Sequence, residues 1–95
     1  MITEFLYISR EGDNEIVHTE RLRLEKLSKA ELVDYYNRVA AKGFFCPHVQ
    51  GLHVAALHFT MRSVFGDSPI KILGHGRLLQ LGGQVSLNSD EELVI

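Results

Sequence analysis

Residues 47–66, PHVQGLHVAALHFTMRSVFG, decide how this chain is read. The stretch is long enough for about five helical turns at 3.6 residues per turn, and Arg62 is its only permanently charged residue. A helix with so little polar surface must be covered on more than one side. At about 100° per residue, His53, Val54, Leu57, Met61, Val64 and Phe65 fall near one line, and Leu52, Ala56, Phe59 and Ser63 form a smaller-residue stripe roughly opposite. Two apolar faces need two partners: a sheet on one side and, on the other, a second helix or another copy of the chain. Pro47 suits a first helical turn, where its missing N–H costs nothing. Gly66, followed by Asp67, Ser68 and Pro69, is a firm stop, because glycine takes the left-handed cap and proline cannot continue the helix. Gly51 blurs the beginning, so regular helix starts either at Pro47 or only after Gly51, with residues 47–50 as a loose turn.

Immediately upstream lies the clearest local signal. Ser28 and Glu31 form a Ser-x-x-Glu capping box, in which each side chain satisfies the other's free backbone N–H, and Leu27 and Leu32 are placed for the accompanying hydrophobic staple. Leu32, Tyr35, Tyr36, Val39 and Ala40 line one face of the helix that follows, with Lys29, Asp34, Asn37 and Arg38 mostly on the other. Lys42 and Gly43 supply a basic last turn and a glycine stop. Phe44, Phe45 and Cys46 then make a tight helix-to-helix connection.

The first residues read as a strand, with Ile2, Leu6 and Ile8 on one face and Phe5 and Tyr7 on the other, so both faces should be at least partly covered. Residues 9–14, SREGDN, are rich in turn formers. A return strand is expected over residues 15–24, because the alternation of Arg and Leu in ERLRLE favours period 2, although the same residues are good helix formers. After residue 66 the period again becomes 2. Ile70 to Leu73 and Arg77 to Leu81 read as strands around a Gly74-His75-Gly76 turn. Gly82-Gly83 reads as a two-residue hairpin turn leading to a strand over Gln84 to Leu87. Asn88-Ser89-Asp90 is a further turn, with a last short strand possible in residues 91–95. The expected fold is a single α+β domain over residues 1–95 in the order β-β-α-α-β-β-β(-β), with two helices on one face of a mostly antiparallel sheet.

Bulk properties bound the function. Ninety-five residues suit one domain, and 45% apolar with 23% charged residues is ordinary globular composition. A formal net charge of −2, from 10 basic and 12 acidic residues mixed along the chain, provides no electrostatic footprint for nucleic acid or an anionic membrane. No stretch approaches the ~18 uninterrupted apolar residues of a membrane span, and no secretion signal opens the sequence. A lone cysteine, Cys46, cannot form an intramolecular disulfide, so a reducing, cytoplasmic setting is expected.

Few residues are suited to chemistry. Cys46, His48 and His53 carry the right atoms for a metal, but Cys-x-His-x4-His is not a standard zinc spacing, and the three converge only if the chain before Gly51 loops back. Cys46 as a nucleophile would take His48 as its base, with no third residue apparent to orient the pair. His75, on a glycine-flanked turn, is an isolated candidate for catalysis. The simpler expectation is that Cys46 packs beside Phe44 and Phe45, that His53 is a hydrogen-bonded core residue, and that His58 shares a more polar face with Arg62. The glycine pairs fit neither phosphate-loop pattern. No cofactor is indicated.

These residues support the expectation of a small non-enzymatic, homodimeric interaction module, regulatory or protein-binding. It would use the Leu52, Ala56, Phe59 and Ser63 stripe or an exposed sheet edge as its interface. The alternative is a small enzyme or metal-binding protein with a site near Cys46, His48 and His53 or at His75.

Overall fold

The computed structural model describes residues 2–44 and 47–95. It is an α+β arrangement of three helices and two antiparallel sheets. The capping box forms: Ser28 Oγ accepts from the Glu31 N–H at 3.1 Å, and Glu31 Oε1 accepts from the Ser28 N–H at 2.9 Å. It opens helix α2, Lys29–Lys42, which ends at Gly43 with a positive φ of 69°. Leu32, Val33, Tyr36 and Ala40 are its buried residues. The central helix α3 runs over Pro47–Phe65 without a break at Gly51, so the loose-turn alternative for residues 47–50 is not what forms.

The expected return strand over residues 15–24 is instead helix α1, Asp13–Leu24. Local electrostatics favour it. Asp13 and Glu15 lie in its first turn and Arg21 and Arg23 in its last, each opposing the helix dipole. Glu20 also receives the Arg23 guanidinium fork three residues on, a pairing that helical geometry supplies and strand geometry does not. Leu22 stays half exposed while Leu24 is buried, so the Arg-Leu alternation marks no sheet face.

This unforeseen helix makes the most extensive helix contact in the fold, against α3. His48 and Phe59, on the same side of α3 as Leu52 and Ala56, both reach α1: His48 hydrogen-bonds Asp13, and the Arg21 guanidinium lies 5.7 Å from the centre of the Phe59 ring. Two of the four residues of the stripe expected to be an interface are therefore internal. Leu52 is 2% exposed and Ala56 0%.

Another side of α3 meets the main sheet. Strands β1 (Glu4–Leu6), β2 (Lys71–Leu73) and β3 (Leu78–Gln80) form an antiparallel sheet in the order β1-β3-β2. The first strand thus pairs with residues near the far end of the sequence and not with its own neighbour. Phe5, Leu79 and Ile72 share one cross-strand row on the helix-facing side. Gly51 sits where Phe5 presses on α3: a Cβ there would lie 2.5 Å from Phe5 Cε1 and 3.5 Å from Leu79 Cδ1.

A turn at Gly74-His75-Gly76 joins β2 to β3, but Gly82-Gly83 is not a hairpin. Residues 81–85 run as irregular chain toward α2, whose side chains take the place of a ladder. Tyr36 donates to the Gly83 carbonyl at 3.1 Å, and Asn37 both donates to the Val85 carbonyl and accepts from its N–H, each at 2.8 Å. Beyond them β4 (Ser86–Leu87) pairs with β5 (Leu93–Val94) around an Asn88 turn, whose Oδ1 accepts from the Asp90 and Glu92 N–H groups. No helix among the described residues is long and apolar enough to cross a membrane.

Candidate functional site

A connected polar cluster gathers where β1 ends and α1 and α3 begin. Asp13, only 5% exposed, accepts from the Tyr7 hydroxyl at 2.5 Å and from the Arg10 N–H at 2.8 Å through Oδ2. Its Oδ1 lies 3.1 Å from His48 Nε2. The Tyr7 and His48 rings stack, with centroids 5.7 Å apart and planes at 20°. The Tyr7 hydroxyl, ahead of the His48 and Arg10 hydrogen bonds, holds the Asp13 carboxyl down at about 2. Tyr7 is pushed up, first by burial and then by donating to a carboxylate. An anchored carboxylate that receives an imidazole N–H is what orients a general base. Here the same carboxylate also ties the end of β1 to the start of α1.

Asp13 is the orienting partner for His48 that the sequence left unnamed. It was hidden because an Asp between Gly12 and Asn14 reads as a turn residue. Cys46, the expected nucleophile and metal ligand, lies outside the described residues. His53 does not join the cluster: five positions along one helix place it about 140° around from His48. It is half-buried and lines shallow grooves beside Glu20 and beside Val49 and Val54. His75, with a positive φ of 59°, is exposed on the β2–β3 turn. It borders a depression that Tyr7 and Ser9 also line, so Tyr7 separates the two catalytic candidates His48 and His75. Among the described residues no three His, Cys, Asp or Glu side chains gather as a metal would require.

His58, expected on a polar face with Arg62, takes the buried and hydrogen-bonded role expected of His53. His58 is 8% exposed, its Nδ1 is 3.0 Å from Ser68 Oγ, and burial lowers its pKa. Ser68 Oγ in turn accepts from the Ile70 N–H at 3.1 Å, so the pair fixes the chain leaving α3.

A second feature is apolar. The register aligns Leu6, Leu78 and Leu73 in one cross-strand row on the side of the main sheet turned away from the helices. Leu6 is 64% exposed and Leu73 45%, and Ile2 and Ile8 lie exposed on the same face of the β1 segment. Expected to be covered, this face is open. Of the expected interface stripe, only Phe59 and Ser63 remain accessible. No family model, curated protein or solved structure matches this chain.

Proposed function

We propose that the protein is a non-enzymatic interaction module that works as a homodimer, and that its contact surface is the outer face of the main sheet. The observation that carries this reading is the Leu6–Leu78–Leu73 row. Three leucines side by side, continued by Ile8 at one end, make a contiguous apolar patch, and Ile2 lies on the same face beyond the Glu4 row, whereas isolated surface leucines need no explanation. On the α3 stripe, by comparison, Leu52 and Ala56 are buried and only Phe59 and Ser63 are open. The patch is small for a specific interface, which calls for a dimer that forms at micromolar concentration and exchanges readily.

The rival reading, a small enzyme or metal-binding protein, draws on the Asp13–His48 pair. Every polar atom of Asp13 is engaged in holding Tyr7, the Arg10 backbone and His48 together, an arrangement that serves a structural clasp better than a reacting centre.

Leu6→Asp tests the leading reading, since it places a charge on the open face at a residue already 64% exposed. Sedimentation velocity over a concentration series should show a reversible dimer for the natural sequence. The variant should be a folded monomer with unchanged helical circular dichroism. A natural sequence that stays monomeric up to near-millimolar concentration would refute the reading.

A further inference from the structure

The outer sheet face carries a second row beside the leucines, and the two rows together specify how a second copy can sit. Resting on the homodimer reading above, we infer that the partner is a second copy related by a two-fold axis running along β3, with Glu4 of each protomer facing Lys71 of the other.

The register supplies the geometry. Glu4, Gln80 and Lys71 are cross-strand neighbours, as are Leu6, Leu78 and Leu73, and both rows point away from the helices. The strand order β1-β3-β2 puts an acid on one edge, a base on the other and a neutral amide between them. A two-fold axis parallel to β3 exchanges the edges while keeping each row at its own height. It therefore lays Glu4 over the partner's Lys71, Lys71 over the partner's Glu4, and Leu78 over its own copy. Leu6 meets the partner's Leu73. A two-fold axis running across the strands instead brings the charged row over residues of the opposite strand ends, and so over apolar side chains or like positions. Only the axis along β3 satisfies both rows at once, and isologous contacts of this kind are the commonest in small oligomers.

Two further details fit. Gln80 Nε2 donates to Glu4 Oε1 at 2.8 Å, which holds the carboxylate within its row and leaves the second oxygen available. Lys71 is exposed and has no ion-pair partner within its own chain among the described residues. Packed sheets lie about 10 Å apart, a gap that a glutamate and a lysine extended toward each other can bridge. The twist of each sheet would set the strands of the two copies about 30° apart.

The test uses charge reversal at both positions. Glu4→Lys alone places lysine against lysine at both symmetric contacts, and Lys71→Glu alone places glutamate against glutamate. Each variant should dimerise at least about tenfold more weakly than the natural sequence. Mixed together they should form a heterodimer, because both contacts then pair opposite charges. Native mass spectrometry resolves the mixed species by mass, and circular dichroism of each variant checks that the fold is intact. Recovery of dimer only in the mixture supports the assigned axis. If the natural sequence dimerises and Leu6→Asp abolishes this, yet neither charge variant weakens it and mixing has no effect, the face is right and the axis is wrong. If the natural sequence does not dimerise at all, the reading on which the axis rests fails with it.

Discussion

At the scale of single residues, Gly51 shows how a poor helix former can be the right choice within a helix. Its missing side chain lets the Phe5 ring reach the backbone of α3, where a Cβ would stand 2.5 Å from the ring. Gly51→Ala gains about 1 kcal/mol in helix propensity but introduces an overpacking cost of about 1–3 kcal/mol. The expected outcome is a net loss of about 1 kcal/mol in chemical denaturation. Combining it with Phe5→Leu, which withdraws the colliding ring atoms, should make the two losses less than additive. A stabilised Gly51→Ala protein would mean that the close approach does not occur in solution.

At the scale of elements, Asn37 does the work of a strand. Val85 is buried, and both its backbone groups are satisfied by the Asn37 amide. Asn37→Ala strands a donor and an acceptor, each costing about 1–3 kcal/mol when left unpaired. A loss of about 2 kcal/mol and faster hydrogen exchange at the Val85 amide are expected. Asn37→Asp, which keeps the acceptor and loses the donor, should fall between.

How much of the elements could be read from sequence follows from which side chains face inward. Helix α2 announces itself through Ser28 and Glu31, and α3 through its length and want of charge. Helix α1 hides because Asp13 and Glu20 are two of its three buried residues, with Leu24 the third. Its hydrophobic residues mark no single face, and Ile16 and Leu22 point outward. A reading based on apolar periodicity had nothing to find there, and the alternation of Arg and Leu offered a false period. The correct signal was charge: acids in the first turn, arginines in the last, and Glu20 three residues before Arg23. The polar cluster is half legible, since His48 stands out beside Cys46, whereas Tyr7 reads as a strand residue and Asp13 as a turn former. The pairing of β1 with β3 left no local trace, because non-local strand pairing is not written in either strand alone.

At the scale of the whole molecule, the two buried polar knots set the response to acid. His58 is lowered by burial. Below about pH 6.5, where an ordinary imidazole takes up a proton, the unfolded chain binds a proton that the folded chain refuses. Stability therefore falls as pH falls from that value. Asp13, at about 2 when folded against 3.8 otherwise, contributes stability that is complete above about pH 4 and is lost as pH falls toward 2. Glu31, lowered by accepting from the Ser28 N–H, adds to the same acid limb. Thermal melts from pH 8 to pH 2 should thus show a shallow decline followed by a steeper one. Asp13→Asn should shrink the second and leave the first in place. A variant that keeps the full decline between pH 4 and 2 would show that Asp13 is not held ionised in the folded chain.

The strand order carries a consequence in time. Glu4 and Gln80 are 76 positions apart in the chain, and β3 is what β1 pairs with. During synthesis the three helices are complete before β3 leaves the ribosome, and closing so long a loop is slow compared with forming local helical contacts. Through that interval Phe5 has no neighbouring strand, and Leu6 belongs to an isolated ribbon and not to a surface. The leucine row comes into being only when the last pairing closes, so a nascent or partly opened chain has no complete leucine row. Self-recognition on that face would be reserved for molecules that have finished folding.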